Sequence, residues 1–268
     1  MAWGLEAVVV GLAALVVALG ALMAGPVGRP KGPAVSVLAI SGERRARLGR
    51  WLLCLGTLAA LVAMVVATAE RGVDIYCSTV TAAAGMLAFA ALWSVVLAPP
   101  ASEAQASYGM LAAGAMIGYL LARHHLAAMA VLHGAAYGLS GWTYVAGAGV
   151  LVAGLAHTSL RRGSQPPEVP VGSYLSLATL CLTVSLAAQG AASQWAWGSY
   201  WAGDPAEYLR LIGWIGVALG WVTAVEFGSH PRAVAWSLRA AACVAIVVLL
   251  GSMALIRALD LASLYWVG

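Results

Sequence analysis

Apolar runs close to twenty residues long recur from one end of this chain to the other, and they constrain the fold more than any motif does. A helix that crosses a bilayer needs roughly 20 apolar residues, and it satisfies its own backbone groups there. Eight runs stand out, at about 2–24, 50–69, 76–98, 107–122, 127–157, 172–192, 205–229 and 233–258. The expected fold class is therefore all-α: a polytopic integral membrane protein with about eight transmembrane helices. Composition agrees. Of 268 residues, 62% are hydrophobic and 9% charged, where a soluble domain carries about 25% charged residues. A soluble protein with buried helices would need polar outer faces, which these runs lack. The first run is long and has no basic segment before it, so it reads as a retained membrane helix rather than a signal peptide. The fifth exceeds what a span requires; its start, around His124 to Leu132, either lies in the interface or opens a tilted helix.

Basic residues orient the runs. Of the fourteen, one side collects Arg29, Lys31, Arg44, Arg45, Arg47, Arg50, Arg161, Arg162, Arg232 and Arg239, and the other only Arg71, Arg123, Arg210 and Arg257. The positive-inside rule puts the larger set in the cytoplasm, with both termini outside the cytoplasmic membrane. The net charge of +4 then expresses loop asymmetry, not a nucleic-acid partner. Proline marks the breaks at 99–105 and 163–171. Two parts follow: an N-terminal four-helix membrane scaffold, 1–124, and a second membrane domain, 125–268. Cys54, Cys77, Cys181 and Cys243 are scattered, with no CxxC or CxxCH, and read as small buried hydrophobes. Abundant glycine and alanine within the runs suit close helix packing in lipid. No phosphate loop, dinucleotide fingerprint, HExxH or nucleophile elbow is present.

One connection is chemically dense. The outward loop 195–207 holds Trp195, Trp197 and Trp201, three of eleven tryptophans, with Tyr200 among them. Two readings stand: interfacial anchors, or an aromatic shelf for a flat apolar ligand. Asp204-Pro205-Ala206-Glu207 has the spacing of an N-cap, a proline at the first helical position and a capping box, so it reads as the start of the seventh helix. Glu226 and His230 are four apart and share a helix face near the cytoplasmic end. Arg257 and Asp260, three apart near the outer end of the last helix, either pair with each other or leave Arg257 for an external carboxylate.

The residues Trp197-Gly198-Ser199-Tyr200-Trp201-Ala202-Gly203-Asp204-Pro205-Ala206-Glu207, followed by Trp214, resemble without gaps the pattern W-G-x-Y-W-x-W-D-P-K-E-x-W with its further tryptophan. That pattern belongs to the cytochrome c assembly proteins, the CcsA/CcmC/CcmF superfamily, and the chain is nearest the CcsA branch. The resemblance covers about 125–260. It implies an outer-face site for haem b on Trp195, Trp197, Tyr200, Trp201, Asp204 and Trp214, flanked by histidine ligands to iron. His133, in His133-Gly134-Ala135-Ala136-Tyr137, matches the first ligand's setting and is the metal-ligand candidate. The second ligand's position is taken by Asp260, with Arg257 beside it as a propionate partner. A further family histidine aligns with Val222. Gly203, Ala206 and Leu209 also depart from the pattern, standing for Trp, Lys and Trp. His124 and His125 are either a wet interfacial pair or a substitute second ligand. His157 reads as an inner-interface residue.

The resemblance implies haem presentation for cytochrome c maturation, as a haem-lyase-type component working with a CcsB-type membrane partner and apocytochrome c. The 268 residues leave no room for a fused partner of that type. The ligand losses imply the alternative, a non-catalytic, haem-b-binding subunit of a respiratory or electron-transfer complex.

Overall fold

The computed structural model describes residues 2–24, 35–71, 78–97, 103–122, 134–159, 171–261 and 263. They form α1 (Ala2–Ala24), α2 (Val35–Arg71), α3 (Thr79–Leu97), α4 (Glu103–Ala122), α5 (Gly134–Ser159), α6 (Val171–Trp197), α7 (Pro205–Glu226) and α8 (Pro231–Ala258). The chain is an all-helical, multi-pass membrane protein. Among the described residues, seven helices are long and apolar enough to cross a bilayer. The eighth expected span, α4, does not meet that measure. Gln105, Ser107, Tyr108 and Tyr119, with Gly109, Gly114 and Gly118, dilute its apolar content.

The membrane setting shows on the surface. Leu5, Val8, Leu12, Leu15, Leu19 and Leu22 form an exposed stripe along α1, and α2, α7 and α8 carry similar ones. Water would penalise such continuous apolar surface, whereas lipid does not.

Several boundaries differ from the sequence expectation. α2 begins at Val35 instead of near 50 and runs 37 residues, roughly 55 Å at 1.5 Å per residue. A hydrocarbon core is only about 30 Å thick. Its N-terminal extension is rich in good helix formers, and tertiary contacts hold its arginines. Arg45 Nη2 donates to Leu22 O in the last turn of α1 (3.1 Å), and Arg50 Nη2 donates to Val95 O near the end of α3 (3.3 Å). Both satisfy carbonyls at a negative helix end. α6 continues through Trp197. α5 begins at Gly134; the stretch expected to open it, His124 to Leu132, lies outside the described residues.

The arginine contacts and the helix order define two ends. α1 and α3 finish beside the Arg44–Arg50 cluster. α3 and α5 run parallel, with Gly85 against Trp142 and Gly149 against Phe89. α6 returns antiparallel to α5, with Gly147 against Leu182 and Gly154 against Tyr174. The α6–α7 connection therefore lies at the end opposite the arginine cluster. α3 packs on α5 and α8 on α5 and α6, which joins the first four helices to the last four through one apolar core.

Glycine sets the closest approaches. A Cβ on Gly49 would meet Ala24 N at 2.5 Å and Gly20 O at 2.8 Å, whereas Gly114 has open space beside it. Gly49→Leu is expected to destabilise the α1–α2 contact by roughly 1–3 kcal/mol, and Gly114→Ala to leave stability unchanged or raise it slightly. Thermal unfolding of the two variants in one detergent compares them directly.

Candidate functional site

At the end of the bundle opposite the arginine cluster, the chain turns from α6 into α7 through residues 198–204. This is shorter than the expected loop 195–207, because Trp195 and Trp197 belong to the last turn of α6 and Pro205 to Glu207 already belong to α7. The apolar span of α6 reaches that far. Trp195 is 87% exposed and Tyr200 70%, and Trp197 and Trp201 are exposed at about half that level (39% and 38%). The Trp201 ring meets Tyr208 edge-on, with centroids 5.4 Å apart.

The backbone explains how so tight a connection holds. Gly198 and Gly203 take φ of +71° and +75°, a left-handed conformation that costs other residues about 1–2 kcal/mol. Gly203 stands where the resembled pattern has tryptophan, and this turn suits glycine for that reason. Ser199 Oγ donates to Trp201 O at 2.7 Å and pins the tip.

The capping box read from the sequence is present. Asp204, φ −72°, caps α7 by accepting from the Ala206 N–H at 2.8 Å. Glu207 does more than cap. It is fully buried, 0% exposed. Its Oε2 accepts from the N–H groups of Ala202, Gly203 and Asp204 at 2.9, 3.0 and 3.4 Å. Its Oε1 accepts from Ser193 Oγ on α6 at 2.6 Å. The loop backbone is thus wrapped around one carboxylate, at the helix end where the macrodipole favours negative charge.

One turn further, Arg210 is 2% exposed. Nη2 donates to Tyr137 OH at 2.9 Å, Nη1 donates to Ser140 Oγ at 3.3 Å, and the guanidinium lies 5.0 Å from the centre of the Tyr137 ring. Ser140 Oγ reaches Gln189 Oε1 at 3.4 Å, and Ser185 Oγ donates to Ser140 O at 2.7 Å. Asp204 Oδ1 also accepts from Ser263 Oγ at 2.9 Å, which ties the segment after α8 to the loop. The network joins α5, α6, α7 and the end of α8 below the aromatic surface.

The structure brings some expected site residues together and separates others. Trp195, Trp197, Tyr200, Trp201 and Asp204 share the loop end. Trp214 lies ten residues beyond Asp204, about 15 Å along the helix, and its Nε1 donates to Thr183 Oγ1 on α6 at 2.9 Å. It belongs to the α6–α7 contact, away from the loop surface. Arg257 and Asp260 are both exposed at the end of α8. Asp260 has φ +49° and donates its N–H to Arg257 O at 3.1 Å. His133, His124 and His125 lie outside the described residues. His157 pairs with Tyr174 OH, and His230 precedes α8 beside Ser229; both stand at the arginine end. The described residues at the loop end are thus four exposed aromatic side chains, Trp195, Trp197, Tyr200 and Trp201, over a buried polar base.

Sequence reading treated Arg210 as one outer-side charge and missed the network beneath the loop. Two periodicities carried the signal: Asp204, Glu207 and Arg210 at spacing three, and Ser185, Gln189 and Ser193 at spacing four. Each set lies along one helix face within an apolar run.

No family profile, curated protein or solved structure matches the chain.

Removing the Glu207 carboxylate takes an acceptor from the buried Ser193 hydroxyl and Asp204 N–H and from the part-buried N–H groups of Ala202 and Gly203. Glu207→Ala is expected to cost roughly 2–4 kcal/mol and to speed amide exchange at Ala202–Asp204. Trp195→Ala, at an exposed site, should stay within about 0.5 kcal/mol. Equal melting temperatures for these two variants would contradict the role given to Glu207. Gly203→Ala should lower stability by about 1 kcal/mol, read from the same melts.

Proposed function

We propose that this protein binds haem b on the non-cytoplasmic face of the cytoplasmic membrane and presents it for cytochrome c maturation. One observation carries the reading: Trp195 and Trp197 in the last turn of α6 and Tyr200 and Trp201 in the connection after it are exposed at one end of the bundle, where the buried Glu207 holds the connection's backbone. Exposed aromatic faces at a membrane surface suit a flat, largely apolar macrocycle. A rigid support spares the ordering cost of binding. The resemblance of 197–207 to the cytochrome c assembly pattern supports the same reading. So does the arginine cluster at the far end of the bundle, which the positive-inside rule assigns to the cytoplasm.

In this reading the chain's own residues bind and orient. The tryptophans and Tyr200 supply stacking surface. His133 supplies the axial imidazole, the ligand type favoured by haem iron. Asp204, which the resemblance puts in the haem site, is buried as the cap of α7, so with Glu207 and Arg210 it positions the shelf. Bound haem brings the vinyl groups that react with cysteine thiols of apocytochrome c, and a CcsB-type membrane protein is the expected partner.

A second reading has its own observation. Asp260 stands in the aligned position of the second imidazole and is an exposed turn residue with φ +49°. A weak carboxylate in that place favours a non-catalytic, haem-b-binding subunit of a respiratory or electron-transfer complex.

Visible spectra of the purified protein, oxidised and reduced, test the shared premise. A Soret band is expected, weakened at least tenfold in haem affinity by the triple change Trp195→Ala, Tyr200→Ala and Trp201→Ala, and displaced or lost in His133→Ala. Absence of any Soret band after haem addition would sink both readings. Loss of cytochrome c maturation on gene deletion selects the first, and normal maturation selects the second.

A further inference from the structure

Beside the loop end, the surface between α7 and α8 opens into a groove of about 370 Å³, within the range of about 300–1,000 Å³ typical of ligand sites. Leu209 of α7 forms one wall, and Val247, Gly251, Ala254, Leu255 and Ala258 of α8 form the other. Positions 247, 251, 254 and 258 repeat at four and three, so they line one helix face. The groove exists because that face is small. A Cβ on Gly251 would find only Val247 Cγ1, at 3.9 Å. None of its residues belongs to the network under the loop.

We infer that the groove holds an acyl chain of an anionic phospholipid, with the headgroup phosphate on Arg257. Three observations point there. The walls are apolar and lie on the periphery of a multi-pass membrane bundle, where lipid is the solvent. The apolar run of α8 ends with the helix at Ala258, so Arg257 stands in its last turn, at headgroup depth. Arg257 is exposed, three residues after Ala254 and one before Ala258, so it stands next to the lining positions, on a stem long enough to bring its guanidinium to the interface. A guanidinium binds phosphate oxygens in bidentate fashion. Asp260, one turn further, is the acid closest in sequence and weakens the local positive potential without removing it. The site thus selects by charge at one end and by width along its length.

Native mass spectrometry of the detergent-purified protein, titrated with phosphatidylglycerol or with phosphatidylcholine of matched chains, tests the site. The wild type should hold phosphatidylglycerol about fivefold more tightly, the worth of one arginine at an anionic surface. Arg257→Gln should erase the preference and Arg257→Lys should retain part of it. Gly251→Leu should lower occupancy by both lipids at least fivefold. Leucine is a better helix former than glycine, so the fold persists, and circular dichroism checks that. Wild-type lipid occupancy in Gly251→Leu overturns the groove, and equal binding of the two lipids overturns the role of Arg257. A dimer that Gly251→Leu converts to monomer overturns lipid as the occupant in favour of a second copy of the chain. The visible spectrum of Gly251→Leu after haem addition should match the wild type, so failure here and failure of the haem reading are told apart.

Discussion

A buried carboxylate organises the end of this bundle that carries the aromatic connection. Glu207 accepts three loop N–H groups and the Ser193 hydroxyl. Without that acceptor, the turn from α6 into α7 would lose the shared partner of three backbone N–H groups, and a buried donor deprived of its acceptor costs about 1–3 kcal/mol. The charge is tolerated because it sits at a helix N-terminus and because Arg210 lies one turn below, anchored to Tyr137 and Ser140 of α5. Two glycines in left-handed conformation let the backbone close around it. The connection that carries Tyr200 and Trp201 is held by this polar base.

The opposite end uses charge differently. There Arg45 and Arg50 bind carbonyls at the ends of α1 and α3, and their long stems span the helix contacts. Between the two ends, glycines bring backbones together and a large apolar core runs through the bundle. The bundle is thus small-residue contact in the middle, with charged caps above and below. Lipid-facing surfaces need no further device, since lipid accepts them.

The sequence resemblance and the structure meet at Gly203. Against the assembly pattern, a glycine in place of tryptophan reads as a thinned ligand surface. In the folded chain it is also a conformational requirement, because φ +75° excludes a large side chain at low cost. The same residue is thus a loss by one criterion and a necessity by the other. Trp214 shows the converse. Its aligned position suggests the ligand surface, and its hydrogen bond to Thr183 places it in the helix contact well below the loop.

The helical, membrane-spanning class was legible in the sequence because lipid imposes it residue by residue: run length and the absence of charge suffice. The capping box at Asp204 and Glu207 was legible too, since caps are local in sequence. The extension of α2 was not, because its arginines find their partners only on α1 and α3. Nor was the base of the loop. Tyr137, Ser140, Ser185, Gln189, Ser193 and Arg210 come from three separate helices, and each alone is an ordinary polar residue in an apolar run. Composition and spacing determined that the chain crosses the membrane and where it turns. Tertiary structure decided which polar groups meet at those turns, because a hydrogen bond between helices depends on rotation and depth, which no single run encodes.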